Sequence, residues 1–413
     1  MRKNLKTQEL KNLNMKKQFV LLGLLVLLVV SCAKPERKHY TVIVSLDGFR
    51  WDYPSLYSTP TLDEMAKKGV SAIMLPSFPA STFPNHYTLA TGLVPDHNGI
   101  INNSFWNPKT QKRYTMSDPE TRYNPEYYLG EPIWITAQKQ GLKAGVLYWV
   151  GSDIAIKDTY PTYYKVWDDV PRLTFAQRID TAMAWLNKSE AERPDLIMLY
   201  IEEPDAAGHN FGPKSEETGK IVHYVDSLMG VLSAQIATLP HADRINLIVT
   251  SDHGMTDISP ERFVDATSYI NPDWCELVDG TTPTSIFTKE GFRDSVYNAL
   301  KDVEHIHVWK KEDIPAELNY GTSDRIGDIV VAPELGWQFA YKAKKSKGAH
   351  GYFPQSPDMQ VMFRAYGPDF KQGYTSSNSF INVDIYPLLA HLLGVQPEKT
   401  DGQYDRIKEI LIK

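Results

Sequence analysis

Five short apolar runs, rich in β-branched residues, stand out along the chain. They are TVIVSL (Thr41–Leu46), LKAGVLYWV (Leu142–Val150), LIMLYI (Leu196–Ile201), INLIVT (Ile245–Thr250) and DIVVA (Asp328–Ala332). Continuous runs of this length suit strands covered on both faces. Between them lie helix candidates at Thr59–Lys68, Glu131–Gln140, Thr174–Asn187, Glu216–Thr238, Glu290–Leu300 and Val383–Leu393. Strand–helix alternation of this kind predicts an α/β fold, a mostly parallel central sheet sandwiched by helices. Open α/β sheets bind ligands at the carboxyl ends of their strands, so chemistry is expected just after each run.

Three of the runs end in acids. Thr41–Leu46 leads into Asp47-Gly48, and Ile245–Thr250 into Ser251-Asp252-His253-Gly254. Leu196–Ile201 leads through Glu202-Glu203-Pro204 to Asp205, with His209 four residues on. Singly, each has a plain structural role. Asp after a strand is a common turn or helix-capping residue, Asp205 and His209 could be a helix pair, and Asp-His-Gly could be a loop. Together, three acids at one sheet edge would repel and raise one another's pKa unless a cation neutralised them. Mixed Asp and His donors without a thiolate suit Zn²⁺ or a similar divalent ion. His350, in KGAHGYFP, sits among small residues in a loop that can approach a site; composition alone leaves it open between ligand and loop residue. His305 and His307, in VEHIHVW, read as part of an exposed strand face, and His39, His223 and His241 as surface residues.

A further stretch, SFPASTFPNHYTLATG (Ser77–Gly92), is dense in hydroxyls, and Pro84 suits the first turn of a helix. Thr82 and His86 would share a face of that helix, which opens a metal-independent Thr–His hydrolase as one reading. No orienting acid is evident for it.

With 413 residues, 42% hydrophobic and 23% charged, the chain can bury a large core, and its composition excludes disorder. A net charge of −6 argues against a nucleic-acid scaffold as partner while leaving small phosphorylated substrates open. At the N-terminus, Lys16 and Lys17 precede a run of 12 apolar residues, Phe19–Val30, too short to span a bilayer. Followed by Ser31-Cys32, it resembles a bacterial lipoprotein signal. The expected organisation is a signal peptide at 1–31, a tether at 32–39 and a single catalytic domain at 40–413. Met15 is a better-placed start than Met1, so residues 1–14 are open to being untranslated. Lipidation of Cys32 would anchor the protein in the bacterial cell envelope, on the periplasmic or cell-surface side, with no other membrane contact. The one other cysteine, Cys275, reads as a small buried residue.

In chain order, VSLDGFRWDY (44–53), STFPNHYTLATG (81–92), HNGIINN (97–103), GEPIW (130–134), YIEEPDAAGHNFGP (200–213), TSDHGM (250–255) and GAHGYFP (348–354) resemble the nucleotide pyrophosphatase/phosphodiesterase family of the alkaline phosphatase superfamily. The resemblance implies two Zn²⁺ per chain. One would be held by Asp205, His209 and His350, the other by Asp47, Asp252 and His253 beside Thr82. It selects Thr82 as nucleophile and metal neighbour, and places Asn103 and the Phe83 N–H on a non-bridging phosphate oxygen. The implied reaction cleaves nucleotide phosphodiester or pyrophosphate bonds through a covalent phospho-threonine, releasing a nucleoside 5'-monophosphate. Phe83, Trp149 and Tyr200 stand where nucleotide-cleaving relatives place base-stacking aromatics, and Trp167 is a further candidate substrate contact; core packing is the alternative for each. Ser81 departs from the pattern, since many such relatives carry Lys before the threonine.

Other branches of the superfamily fit less well. The sulfatase motif Cys/Ser-x-Pro-x-Arg is absent from the Thr82 segment. Monoesterases add cations, and YWVGSDIAI (148–156) has none, although Lys165 lies nearby. A lysophospholipid or phosphocholine phosphodiesterase remains the alternative within the family, and a phosphate monoesterase the alternative outside it. A ligand-binding lipoprotein without catalysis is the rival from another class.

Overall fold

Nine strands build the main sheet of the computed structural model, which describes residues 38–412. In chain order they are β1 (Tyr40–Leu46), β2 (Val70–Leu75), β3 (Ala144–Leu147), β4 (Tyr163–Lys165), β5 (Leu196–Ile201), β6 (Ile245–Thr250), β7 (Val361–Tyr366), β8 (Tyr374–Thr375) and β9 (Phe380–Ile381). Across the sheet they run β8-β2-β7-β6-β1-β5-β3-β4, with β9 also on β2. Every pairing is parallel except those of β7, which is antiparallel to β2 and β6. The central strands β6, β1 and β5 are buried along their whole length, as their unbroken apolar sequence requires.

Alternate residues of these strands feed two cores. Tyr40, Val42, Val44 and Leu46 of β1 pack with residues of the helices Phe175–Leu186 and Glu216–Ala237. Ile43 faces the opposite core, built with the helices Thr82–Thr91 and Ile385–Leu393. The sheet is therefore sandwiched by helices, as the strand–helix alternation predicts.

Two runs depart from expectation. LKAGVLYWV forms a strand only over Ala144–Leu147, because Tyr148 takes a positive φ of 59° and turns the chain away. DIVVA does not join the main sheet. Its strand, Ile329–Pro333, lies in a separate four-stranded antiparallel sheet with Cys275–Gly280, Thr284–Thr288 and Ile306–Lys310. Ile329 and Val331 face that sheet's own core while Val330 and Ala332 face the main one. Burial on both faces makes its sequence indistinguishable from that of a parallel strand. His307 is exposed on this sheet as expected, but His241 is buried, its ring edge-on to Tyr40 at 5.6 Å. Cys275 is buried.

Cys32, the expected signal peptide and most of the tether lie outside the described residues. Among the described residues no helix is long and apolar enough to cross a membrane.

Candidate active site

Strands β6, β1 and β5 are adjacent and parallel, so their carboxyl ends bring Asp252, Asp47 and Asp205 to one place. Gly48 permits the crowding. It holds a φ of +69°, and a Cβ there would lie 2.9 Å from the Asp205 Cα. One oxygen of Asp252 is held by the Gly48 N–H at 3.2 Å and the Ser251 hydroxyl at 3.1 Å. One oxygen of Asp47 accepts the Tyr200 hydroxyl at 2.5 Å. The other oxygens, Asp47 Oδ1 and Asp252 Oδ2, and Oδ1 of Asp205, are buried with no hydrogen-bond donor. Three orphaned carboxylate oxygens in one pocket are costly unless a cation takes them.

The histidines complete the pattern. His209 Nδ1 meets the Gly348 carbonyl at 2.8 Å, His253 Nδ1 the Gly254 carbonyl at 2.8 Å, and His350 Nδ1 the Ala80 carbonyl at 3.2 Å. Each contact assigns the proton to Nδ1 and leaves Nε2 a bare lone pair, the arrangement of metal-ligating histidines. These Nε2 atoms face the acids: His253 stands 3.4 Å from Asp47 and 3.2 Å from Asp252, while His209 and His350 stand 3.5 and 3.7 Å from Asp205. Donors roughly 2.1 Å from a shared tetrahedral ion stand about 3.4 Å apart, so the residues fit a divalent metal.

Grouping differs in one respect from the sets the resemblance implied. Asp47, Asp252 and His253 gather as expected, but Asp205 and His350 gather with His253, and His209 lies outside that tighter set. The His253 and His350 rings stack with centroids 3.8 Å apart, which brings His253 between the two acid groups. Burial, followed by repulsion from Asp252 and Asp205, pushes the Asp47 carboxyl well up. Burial likewise raises Asp205, against the pull of His209. Burial also disfavours ionised Asp252, yet His253 and His86 beside it hold its carboxyl well below the ordinary range.

Thr82 opens the helix Thr82–Thr91, and its hydroxyl lies 3.1 Å from His253 Nε2. Other hydroxyls of SFPASTFPNHYTLATG are committed elsewhere: Ser77 donates to Asn382 at 2.7 Å and Thr91 to the Tyr87 carbonyl at 2.8 Å. His86 is fully buried and does not serve Thr82. Its Nε2 meets the Ser45 hydroxyl at 2.9 Å, and its Nδ1 lies 3.0 Å from the Thr82 carbonyl and 3.2 Å from Asp252. The Thr–His pair opened by the four-residue spacing is thus excluded as a catalytic couple. Asn103 approaches as expected, but its Oδ1 accepts the Phe83 N–H at 2.8 Å, so the two groups bond each other here.

A cavity of about 240 Å³ opens beside Thr82, Asp47 and Asp205. Phe83, Trp149, Tyr200 and Trp167 all line it. Trp167 has the Arg172 guanidinium 3.9 Å over its ring and Tyr148 edge-on at 5.5 Å. Trp149 and Tyr200 are less free than a stacking role needs. Trp149 is 1% exposed with its indole N–H on the His86 carbonyl at 2.8 Å, and the Tyr200 hydroxyl belongs to Asp47. Lys165 does not line this cavity, whereas Arg122 does, paired with Asp168. Sequence reasoning misses Arg122 because it sits in a loop-rich segment with no periodicity to place it.

Residues 41–353 match the profile of the family described as type I phosphodiesterase/nucleotide pyrophosphatase. The chain belongs to this family. Human bis(5'-adenosyl)-triphosphatase ENPP4 is 35% identical over 376 residues, covering 90% of this chain and 82% of that protein. Bovine ectonucleotide pyrophosphatase/phosphodiesterase family member 3 is 32% identical over 385 residues, covering 90% of this chain but 44% of the relative's own length. This chain therefore spans under half of some of the relatives it matches. Among solved structures, an inactive threonine-to-alanine variant of murine ectonucleotide pyrophosphatase/phosphodiesterase 5, in complex with AMP, superposes with a TM-score of 0.85. It is 33% identical and covers 91% of this chain and 100% of its own. The alkaline-phosphatase-like fold of the family is thus the fold of this chain, and its clustered acids and histidines accord with a metal-dependent family.

Proposed function

We propose that the protein hydrolyses nucleotide phosphodiester or pyrophosphate bonds and releases a nucleoside 5'-monophosphate. The observation that carries this is Thr82: a hydroxyl at a helix N-terminus, facing His253, beside three orphaned carboxylate oxygens and at the mouth of an aromatic cavity. Asp47, Asp252 and His253 would hold one divalent ion and Asp205, His209 and His350 another, with zinc favoured by the donor set. Such ions would supply Lewis-acid stabilisation of charge on the attacking and leaving oxygens.

The chain's own groups do the rest. Thr82 Oγ1, deprotonated, attacks phosphorus; its bond to phosphorus forms as the bond to the leaving oxygen breaks. The helix N-terminus and the Asn103 side chain favour the anionic phosphoryl oxygens. Water then breaks the Thr82–phosphorus bond, freeing the monophosphate and restoring the hydroxyl. A threonine-to-alanine change inactivates the murine relative yet leaves it in complex with AMP, which supports a threonine in this role.

The aromatic rings lining the cavity suit the flat face of a nucleoside base. The test compares p-nitrophenyl thymidine monophosphate, p-nitrophenyl phosphate and p-nitrophenyl phosphorylcholine, with and without chelator. The first is expected to turn over fastest, and chelation to abolish it. Preference for the second would make the protein a monoesterase, and preference for the third would move it to the lipid branch.

Trp167 presents a ring to the cavity with one face on Arg172, so it is the aromatic best placed to stack a base. Stacking contributes about 1–3 kcal/mol per base, so Trp167→Ala is expected to weaken AMP binding roughly 5- to 150-fold. Calorimetry with AMP checks this, and unchanged affinity would return Trp167 to core packing.

A further inference from the structure

His86 has no part in the reaction described above, yet both nitrogens of its ring are engaged. The residue is fully buried and does not line the aromatic cavity. Its Nδ1 meets the Thr82 main-chain carbonyl at 3.0 Å and lies 3.2 Å from Asp252 Oδ2. Both neighbours are acceptors, so Nδ1 carries the hydrogen. The hydrogen bond goes to the carbonyl, which leaves Asp252 Oδ2 close to the ring and still open to a cation. On the other side of the ring, Nε2 meets the Ser45 hydroxyl at 2.9 Å.

Two spacings in the sequence produce this arrangement. His86 follows Thr82 by 4 positions, about one helical turn, and its side chain leans back along the helix toward the Thr82 carbonyl. Ser45 precedes Asp47 by two positions and shares the face of Ile43 on β1, toward this same helix. Trp149 and Tyr200 stand edge-on to the imidazole, with ring centroids 5.2 and 4.8 Å away. The Trp149 indole N–H also holds the His86 carbonyl at 2.8 Å. Two aromatic neighbours and a partner at each nitrogen leave the ring one orientation.

Resting on the phosphodiesterase reading above, we propose that His86 is a positioning residue: its ring ties the main chain of Thr82 to the carboxylate of Asp252 and fixes the distance between nucleophile and metal ligand. Attack on phosphorus needs the Thr82 oxygen and the ligand set in register, and a displacement near 1 Å costs on the order of a hundredfold in rate. The contact from the Thr82 hydroxyl to His253 Nε2 cannot set that register, because it uses the reacting oxygen and the lone pair a metal would take. The bond from His86 to a main-chain carbonyl uses neither, so it persists when an ion binds. Ser45 sharpens the case. A ring kept only for packing has no need of a fully buried hydroxyl at Nε2, whereas a ring that must aim Nδ1 does.

The experiment compares wild type with His86→Leu, which fills the space without an N–H, and His86→Asn, whose amide nitrogen stands where Nδ1 stood. Competition with a chromogenic chelator reads zinc affinity, and assays at saturating zinc read kcat and KM for p-nitrophenyl thymidine monophosphate. His86→Leu is expected to bind zinc roughly 10- to 100-fold more weakly and to lose kcat by a similar factor. Its KM should stay within about twofold, because His86 does not line the cavity. His86→Asn is expected to recover most of both losses. Ser45→Ala, a smaller change, should weaken zinc binding about three- to tenfold, and it decides the matter if the leucine variant does not fold. Unchanged zinc affinity, a loss confined to KM, or an asparagine variant no better than the leucine one would return His86 to core packing. Zinc competition needs no substrate, so it tests the tie to Asp252 separately. A wild type that binds zinc but leaves the ester uncut would sink the phosphodiesterase reading alone.

Discussion

Thr82→Ala is expected to lose at least about a thousandfold in turnover while keeping its metal content and its affinity for AMP. A thousandfold corresponds to about 4 kcal/mol of transition-state stabilisation, a modest demand for deleting a nucleophile. The hydroxyl is buried, opens the helix and stands 3.1 Å from His253 Nε2, so its loss removes one atom from the reacting centre. Alanine is a good helix residue, and no side-chain cap depends on Thr82, so the backbone should hold. Thr82→Ser keeps an oxygen there and should retain measurable turnover. Single-turnover assays with metal analysis and AMP titration separate the outcomes. If the alanine variant kept more than a tenth of wild-type turnover with metal bound, the nucleophile would lie elsewhere.

Asp47, Asp205 and Asp252 are legible in the sequence because unbroken apolar runs reveal parallel strands, and parallel strands deliver their ends to one edge. His209 and His253 stand near those strand ends, but His350 is legible as a ligand only through motif resemblance, since it arrives on a loop with no period of its own. The hydrogen bond from Tyr200 to Asp47 is hidden: Tyr200 lies within β5, where its ring reads as core. The placement of His253 between two acid groups depends on ring stacking with His350 that no spacing encodes. The second sheet itself is masked, since a doubly buried antiparallel strand and a parallel one share the same composition.

Asp47→Asn is expected to make the chelated protein more stable than the chelated wild type, and to remove most of the stabilisation that metal confers. Stripped of metal, the wild type holds three acids in a buried cluster, with Asp47 pushed up by burial and by its two neighbours. Removing one charge and offering an amide N–H to the orphaned Asp252 Oδ2 relieves roughly 1–3 kcal/mol, a few degrees in Tm. A raised carboxyl destabilises the folded state as pH climbs from the ordinary aspartate value through the raised one, so the variant's advantage in chelator should widen as pH rises above the ordinary aspartate value. With metal present the order reverses. Ligand binding to the native state alone adds about 2.7 kcal/mol at a hundredfold excess over Kd, and the variant, short of one carboxylate, forfeits most of it. Thermal melts of both proteins with chelator and with zinc measure the two differences. A chelated variant no more stable than chelated wild type would show that the acids are not in conflict, and would remove the electrostatic ground for placing cations among Asp47, Asp205 and Asp252.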